Sequence, residues 1–158
     1  MTYNISPSNP ATILAHVCLI QLTLSNTQTA STGDVVLFDT INSTSAPSLS
    51  LNATTGEITL DSTKHYYIQA SIQVDRSSTT SDFNFAWIDS NNSILTAAVG
   101  GYDATWEYHT GNIGETATCT ANYITRSPTS AVRLKAMTLA VNSSVRTDTT
   151  VFIMEITP

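Results

Sequence analysis

The amino-acid sequence predicts a single-domain, all-β protein, an antiparallel sandwich of the jelly-roll or barrel kind. Charged residues make up only 11% of its 158 residues, less than half of the roughly 25% usual in globular proteins. Ser, Thr and Asn fill the deficit, and these residues suit strand surfaces and turns. Short apolar runs with a period of two recur between turns, and no helical periodicity occurs. The length fits one domain.

The clearest predicted strand covers residues 66–74. Five apolar side chains alternate there with more polar ones over nine residues, a pattern typical of a strand with one buried face. Further runs repeat the alternation: Phe83, Phe85 and Trp87; Ala117, Cys119, Ala121 and Tyr123; and Val132, Leu134 and Ala136. After Ala136 the apolar phase shifts by one residue, which predicts a β-bulge.

Shorter elements lie between these strands. The sequence predicts a short strand at 35–39 and a loop at 42–50 that contains Pro47. It predicts a hairpin from 49–51 and 57–60, in which Gly56 suits a positive φ. Residues 89–93, DSNNS, predict a tight turn.

The first and last predicted strands, within 13–24 and 151–156, are apolar on both faces. A strand covered on one face alternates cleanly, so each of these strands predicts a second covering layer. If the two strands lie side by side, another subunit must cover their outer face, which predicts an oligomer. We assign to the subunit contact His16, Cys18, Ile20, Leu22, Val151 and Ile153.

Several functional classes find no support in the sequence. The net charge is −6 and the six Lys and Arg residues are scattered, whereas nucleic-acid binding needs a concentrated basic surface. No apolar run approaches the roughly 20 residues of a membrane helix. The three histidines lack partners at metal-ligand spacing, and no catalytic or cofactor motif occurs. We therefore expect no metal, no cofactor and no enzymatic activity.

Cys18 and Cys119 each lie in an apolar alternating run. Buried thiols that act as small hydrophobic side chains are expected at both positions. A bridge between the two cysteines stays open as an alternative.

The order of these features resembles the C1q/tumour-necrosis-factor jelly roll, particularly its versions in phage virion proteins. The resemblance lies in GDVVLFD at 33–39, TGEITL at 55–60, YYIQASI at 66–72, VRLK at 132–135 and VFIMEI at 151–156. It implies a homotrimer whose inner sheets pack around a threefold axis.

The resemblance also implies a place for the protein. No secretory signal is recognised at the start of the chain, so we expect a viral structural protein, made in the host cytoplasm and located on the virion. A jelly-roll domain at 13–158 would follow an extended arm at 1–12. That arm, with Tyr3, Ile5, Pro7 and Pro10, is expected to dock on a major capsid protein or another virion protein. The trimer would then decorate or cement the capsid, or form a short head fibre.

A second function also fits the sequence. Residues 100–111 are rich in Gly and aromatic residues and mildly acidic, and exposed aromatics beside carboxylates suit stacking against sugars. This alternative is a tail-associated module that recognises a host surface glycan through Tyr102, Asp103, Trp106 and Tyr108. Equally, Trp106 and Tyr108 could cap the barrel or line the trimer contact.

Overall fold

A computed structural model describes residues 19–43, 48–77, 80–95, 106–110, 116–125 and 131–156, with the backbone alone at 80–82 and 106–110. The described residues form twelve strands and no helix, which confirms the predicted all-β class. In chain order the strands are β1 Leu19–Thr23, β2 Gln28–Ala30, β3 Thr40–Ser43, β4 Leu49–Asn52, β5 Glu57–Leu60, β6 His65–Asp75, β7 Thr80–Ile88, β8 Trp106–Thr110, β9 Thr116–Ile124, β10 Ala131–Thr138, β11 Ser143–Val145 and β12 Thr150–Ile156.

Two antiparallel sheets make up the fold. In the seven-stranded sheet the central β6 pairs with β9, β12 and β11, β12 continues through β1 to β3, and β11 continues to β2. The other sheet has the order β4-β5-β10-β7-β8. The first and last strands are neighbours, which meets the condition attached to the oligomer prediction, and Leu19 lies opposite Met154.

The core lies between the two sheets. Along β6 the side chains of Tyr66, Ile68, Ala70, Ile72 and Val74 have no solvent exposure, so the predicted alternation is confirmed residue by residue. From the other sheet, the buried Trp87 indole Nε1–H donates to the Ala121 carbonyl of β9 at 3.1 Å. This bond satisfies the polar atom of a large buried side chain. Cys119 is also buried, as expected, whereas Cys18 lies outside the described residues.

The predicted strand at 35–39 is wrong. Val36 and Phe38 are buried, as their alternation suggested, but only Val35 forms a bridge, to Lys135 of β10. The Gln28 side chain donates to the Val35 carbonyl and accepts from the Leu37 N–H, so it occupies groups that a strand neighbour would pair. The strand instead forms at β3, which includes two residues of the predicted 42–50 loop and pairs with β1.

The predicted turns and the bulge are confirmed. β4 and β5 form the hairpin, and Gly56 has a φ of 67°. The pairing of β10 with β7 shifts between Ala136 and Thr138, where the apolar phase slips. Asp89 Oδ1 accepts the Asn91 and Ser93 N–H groups at 2.8 Å each and closes the turn at 89–93.

The strand directions define two ends of the sandwich. We name the entry end the one where β1 begins at Leu19 and β12 ends at Ile156. The far end is the opposite one, where β1 ends at Thr23 and β12 begins at Thr150. Because β6 is antiparallel to β12, it begins at the entry end, and the adjacent β9 finishes there.

Candidate contact surface

The outer face of the seven-stranded sheet carries an apolar row. Residues directly opposite each other in neighbouring strands point to the same face, so the register places Leu19, Met154, Tyr67 and Ile124 side by side across β1, β12, β6 and β9. Leu19, Met154 and Ile124 are 38%, 39% and 42% exposed. We name these four residues the entry row, because they cross the sheet at the entry end.

Further residues enlarge this apolar surface. On β12, Phe152 and Ile156 flank Met154 on the same face and are 38% and 39% exposed. Of the eight exposed large hydrophobic side chains among the described residues, five therefore lie on one face near one end. Scattered single exposed hydrophobics are normal, whereas a contiguous cluster marks an interaction surface.

Toward the far end the same face becomes polar. The row that contains Phe152 also contains amides, and the next row consists of Thr23, Thr150, Ser71 and Thr120. Beyond it, Thr118 Oγ1 donates to Gln73 Oε1, and Thr116 Oγ1 donates to Asp75 Oδ1, both at 2.7 Å. The outer face thus grades from apolar to hydroxyl-rich along the strands.

A shallow groove lies beside the entry row. It has a volume of about 220 Å³ and mostly apolar walls, and it is lined by Leu19, Gln21, Asn42, Ser43 and Phe152. These residues belong to three adjacent strands, so we name it the β3–β1–β12 groove. No formally charged residue lines it.

The comparisons with known proteins identify the fold. No family model matches the chain, and no curated protein matches it in sequence. The Eiger TNF structure from S. frugiperda matches with a TM-score of 0.59 and 11% identity, covering 89% of this chain and 92% of that one. Murine APRIL matches with a TM-score of 0.60 and 10% identity, covering 89% of this chain and all of that one. The chain has a C1q/tumour-necrosis-factor-like jelly-roll fold. The resemblance seen in the sequence is thereby confirmed for the fold.

The assignment of Ile20, Leu22, Val151 and Ile153 to a subunit contact is wrong. All four have no solvent exposure, because they face the second sheet in the core of their own jelly roll. A second copy can reach only the opposite phase of the same strands, which carries Leu19 and Met154. The assignment chose the side of β1 and β12 that faces the second sheet of the same chain. His16 and Cys18, also assigned to the contact, lie outside the described residues.

Two residues of the entry row were not predicted from the sequence, because their strands look polar on that face. Tyr67 and Ile124 stand among Gln, Ser, Thr and Asn in the outer phases of β6 and β9. The available signal was a single large apolar side chain at the end of each otherwise polar phase. Only the register reveals that the two residues are opposite each other and aligned with Met154.

Charged and hydroxyl groups close the entry end beside the apolar row. Lys64 Nζ lies 2.8 Å from Glu155 Oε1, and Ser48 Oγ donates to Glu155 Oε2 at 2.7 Å. Partial burial acts to raise the pKa of Glu155, but the hydrogen bonds from Lys64 and Ser48 outweigh it and lower the pKa below its usual value. The hydrogen bond to Glu155 raises the pKa of Lys64. Glu155 is therefore a carboxylate at neutral pH.

The remaining predicted site residues stay untested. Tyr3, Ile5, Pro7 and Pro10 of the arm, and Tyr102 and Asp103 of the predicted glycan site, lie outside the described residues. The backbone of Trp106 and Tyr108 belongs to β8, opposite Asn84 and Asp82 of β7.

The described part of the chain lacks two features. It contains no group of three His, Cys, Asp or Glu side chains able to hold a metal ion. It also contains no helix long and apolar enough to span a membrane.

Proposed function

We propose that the chain is a structural protein that assembles into a homotrimer through the outer face of its seven-stranded sheet. In this proposal the entry row and Phe152 form the dry part of the contact. The hydroxyl-rich rows form its wetter part toward the far end. The protein acts by binding and assembly rather than by catalysis.

The apolar cluster around the entry row is the observation that carries the proposal. Removing apolar surface from water contributes roughly 25 cal/mol for each Å², and five large side chains still expose about two fifths of their surface. In a threefold arrangement each of the three copies would bury its own cluster, so this contribution to the free energy of association would occur three times in each trimer. The jelly-roll fold is compatible with such packing.

We further propose that the trimer decorates or cements a viral capsid or forms a short head fibre. This part rests on the sequence resemblance to phage virion proteins. Binding only to the assembled capsid would stabilise that state by mass action. The arm at 1–12 would supply the docking contact to the capsid.

The first test is the solution mass of the purified chain by light scattering. Three times the chain mass of 16.9 kDa is the expected result. A stable monomer at the highest attainable concentration would contradict the trimer and leave the apolar cluster unexplained.

The second test is the location of the protein by cryo-microscopy of intact particles. Density on the capsid surface is expected. Density at the tail alone would contradict the decoration role and favour the alternative of a receptor-binding module. A glycan array would then test residues 100–111 directly.

A further inference from the structure

We propose that the β3–β1–β12 groove binds residues 13–17 of a neighbouring copy. This inference rests on the proposed trimer and assigns the occupant of one defined part of its contact. It places an exchange of N-terminal segments between copies at the entry end.

The chemistry of the groove matches that segment. Residues 13–17 read ILAHV and contain no Lys, Arg, Asp or Glu, and none of the five lining residues is formally charged. Since water occupies about 30 Å³ per molecule in the liquid, a groove of about 220 Å³ would hold several waters against mostly apolar walls. Aliphatic side chains would replace this water and bury the exposed surface of Leu19 and Phe152.

The position of the groove makes the segment available. Leu19 lines the groove and is also the first residue of β1, so residues 13–17 are joined to the chain two residues before a groove residue. From Leu19 the groove extends toward Gln21 and Asn42, in the direction in which β1 itself continues. A segment that precedes Leu19 in the sequence would therefore have to turn back along β1 to enter the groove of its own chain.

A neighbouring copy avoids that reversal. Around a threefold axis the three grooves and the three departing segments lie at the same end. An extended chain spans about 3.3 Å per residue, so in an extended segment residue 17 would lie roughly 7 Å and residue 13 roughly 20 Å from Leu19. That reach suits a groove that is continuous with the contact surface.

Disulfide trapping tests the assignment in the full-length protein. Asn42→Cys in the groove is combined in turn with Ile13→Cys, Ala15→Cys or Val17→Cys, each with Cys18→Ser to remove the native thiol nearby. Cys119 stays in place because it is buried. A disulfide needs Cβ atoms about 4 Å apart, so only a segment lying in the groove forms one. Each variant is first checked under reductant for the mass of the unmodified protein.

The expected result is covalent oligomers on a denaturing gel without reductant for at least one pair. Val141→Cys in place of Asn42→Cys is the matched control, because Val141 is exposed on a turn away from the groove, and it should leave single chains. A bond within one chain only, or no bond for all three pairs in a protein with trimeric mass, overturns the inference. A monomeric mass would instead contradict the proposed trimer itself.

Discussion

The two faces of the β1–β12 pair contain similar residues and have different surroundings. On the inner face Ile20 and Ile153 have no solvent exposure, because the second sheet of the same chain covers them. On the outer face Leu19 and Met154 lie opposite each other and are 38% and 39% exposed. The inner face forms part of the hydrophobic core, and the outer face leaves apolar side chains partly exposed to solvent. Apolar residues on both faces of a strand therefore do not reveal which face the second sheet of the same chain covers, and here it covers the face of Ile20 and Ile153.

The largest expected effect is a loss of stability that distinguishes the inner face of β12 from its outer face. Ile153→Ala should lower the free energy of unfolding by about 2–5 kcal/mol, since it opens a cavity in a closed core. Met154→Ala, its neighbour on the outer face, is the matched control. Urea denaturation at two protein concentrations about tenfold apart measures both. The Ile153→Ala deficit should stay constant on dilution, while any Met154→Ala deficit should shrink. Equal and concentration-independent losses would remove the distinction between the faces.

The second effect concerns assembly. Met154→Asp places a carboxylate in the middle of the entry row, where burial against another copy would carry a large desolvation cost. Light scattering should then give the mass of one folded chain. Val141→Asp introduces the same charge at a side chain that is 70% exposed on a turn, and it should leave the mass unchanged. A Met154→Asp protein that retains three chains would show that the contact lies elsewhere.

A smaller contrast between enclosed and open surroundings applies to two glycines. Gly56 and Gly33 both have positive φ, 67° and 97°, so alanine costs about 1–2 kcal/mol of backbone strain at either position. At Gly56 an added Cβ would also lie 2.6 Å from the Val36 carbonyl oxygen, whereas Gly33 has nothing within 4 Å. Gly56→Ala should therefore be the more destabilising by about 1–3 kcal/mol. Thermal unfolding of the two variants measures the difference. Equal losses of stability would mean that the β4–β5 hairpin shifts enough to relieve the contact with the Val36 carbonyl oxygen.

The smallest effect is a pH dependence at the entry end. The pKa of Glu155 is held below its ordinary value of 4.5, so the folded state favours the carboxylate. Its contribution to stability is present above that value and is lost as the pH falls through the lowered pKa. Glu155→Gln cannot titrate, so the stability gap between wild type and variant should narrow below about pH 4.5. Melting temperatures from neutral pH to about pH 3 measure it, and a gap that stays constant would contradict this role of Glu155.

The sequence predicted elements well where one phase alone was apolar. β6 is the best example, because Ile68 and Ile72 alternate with Gln and Ser and only one face can be buried. The β-bulge after Ala136 was also predictable, since the shift in apolar phase reports the shift in register.

Prediction failed where local pattern left two solutions. In β1 and β12 both phases are apolar, and a period of two cannot say which phase faces the second sheet. At 35–39 the alternation of Val36 and Phe38 was real, but whether a segment pairs as a strand depends on distant partners such as Gln28 and Lys135. The entry row could be recognised only from the register of four paired strands. No local feature aligns Tyr67 and Ile124 with Met154.

The antiparallel pairing of β1 with β12 also makes the domain a convenient display scaffold. Leu19 lies opposite Met154, and facing residues of antiparallel strands have Cα atoms only about 5 Å apart. A short linker can therefore join the two strands in a circular permutant. The turn at 146–149 precedes β12 at the far end. In this turn the Thr149 N–H donates to the Arg146 carbonyl at 3.0 Å. A peptide grafted into that turn would point away from anything tethered at the entry end, so one small domain offers separate places for attachment and for presentation.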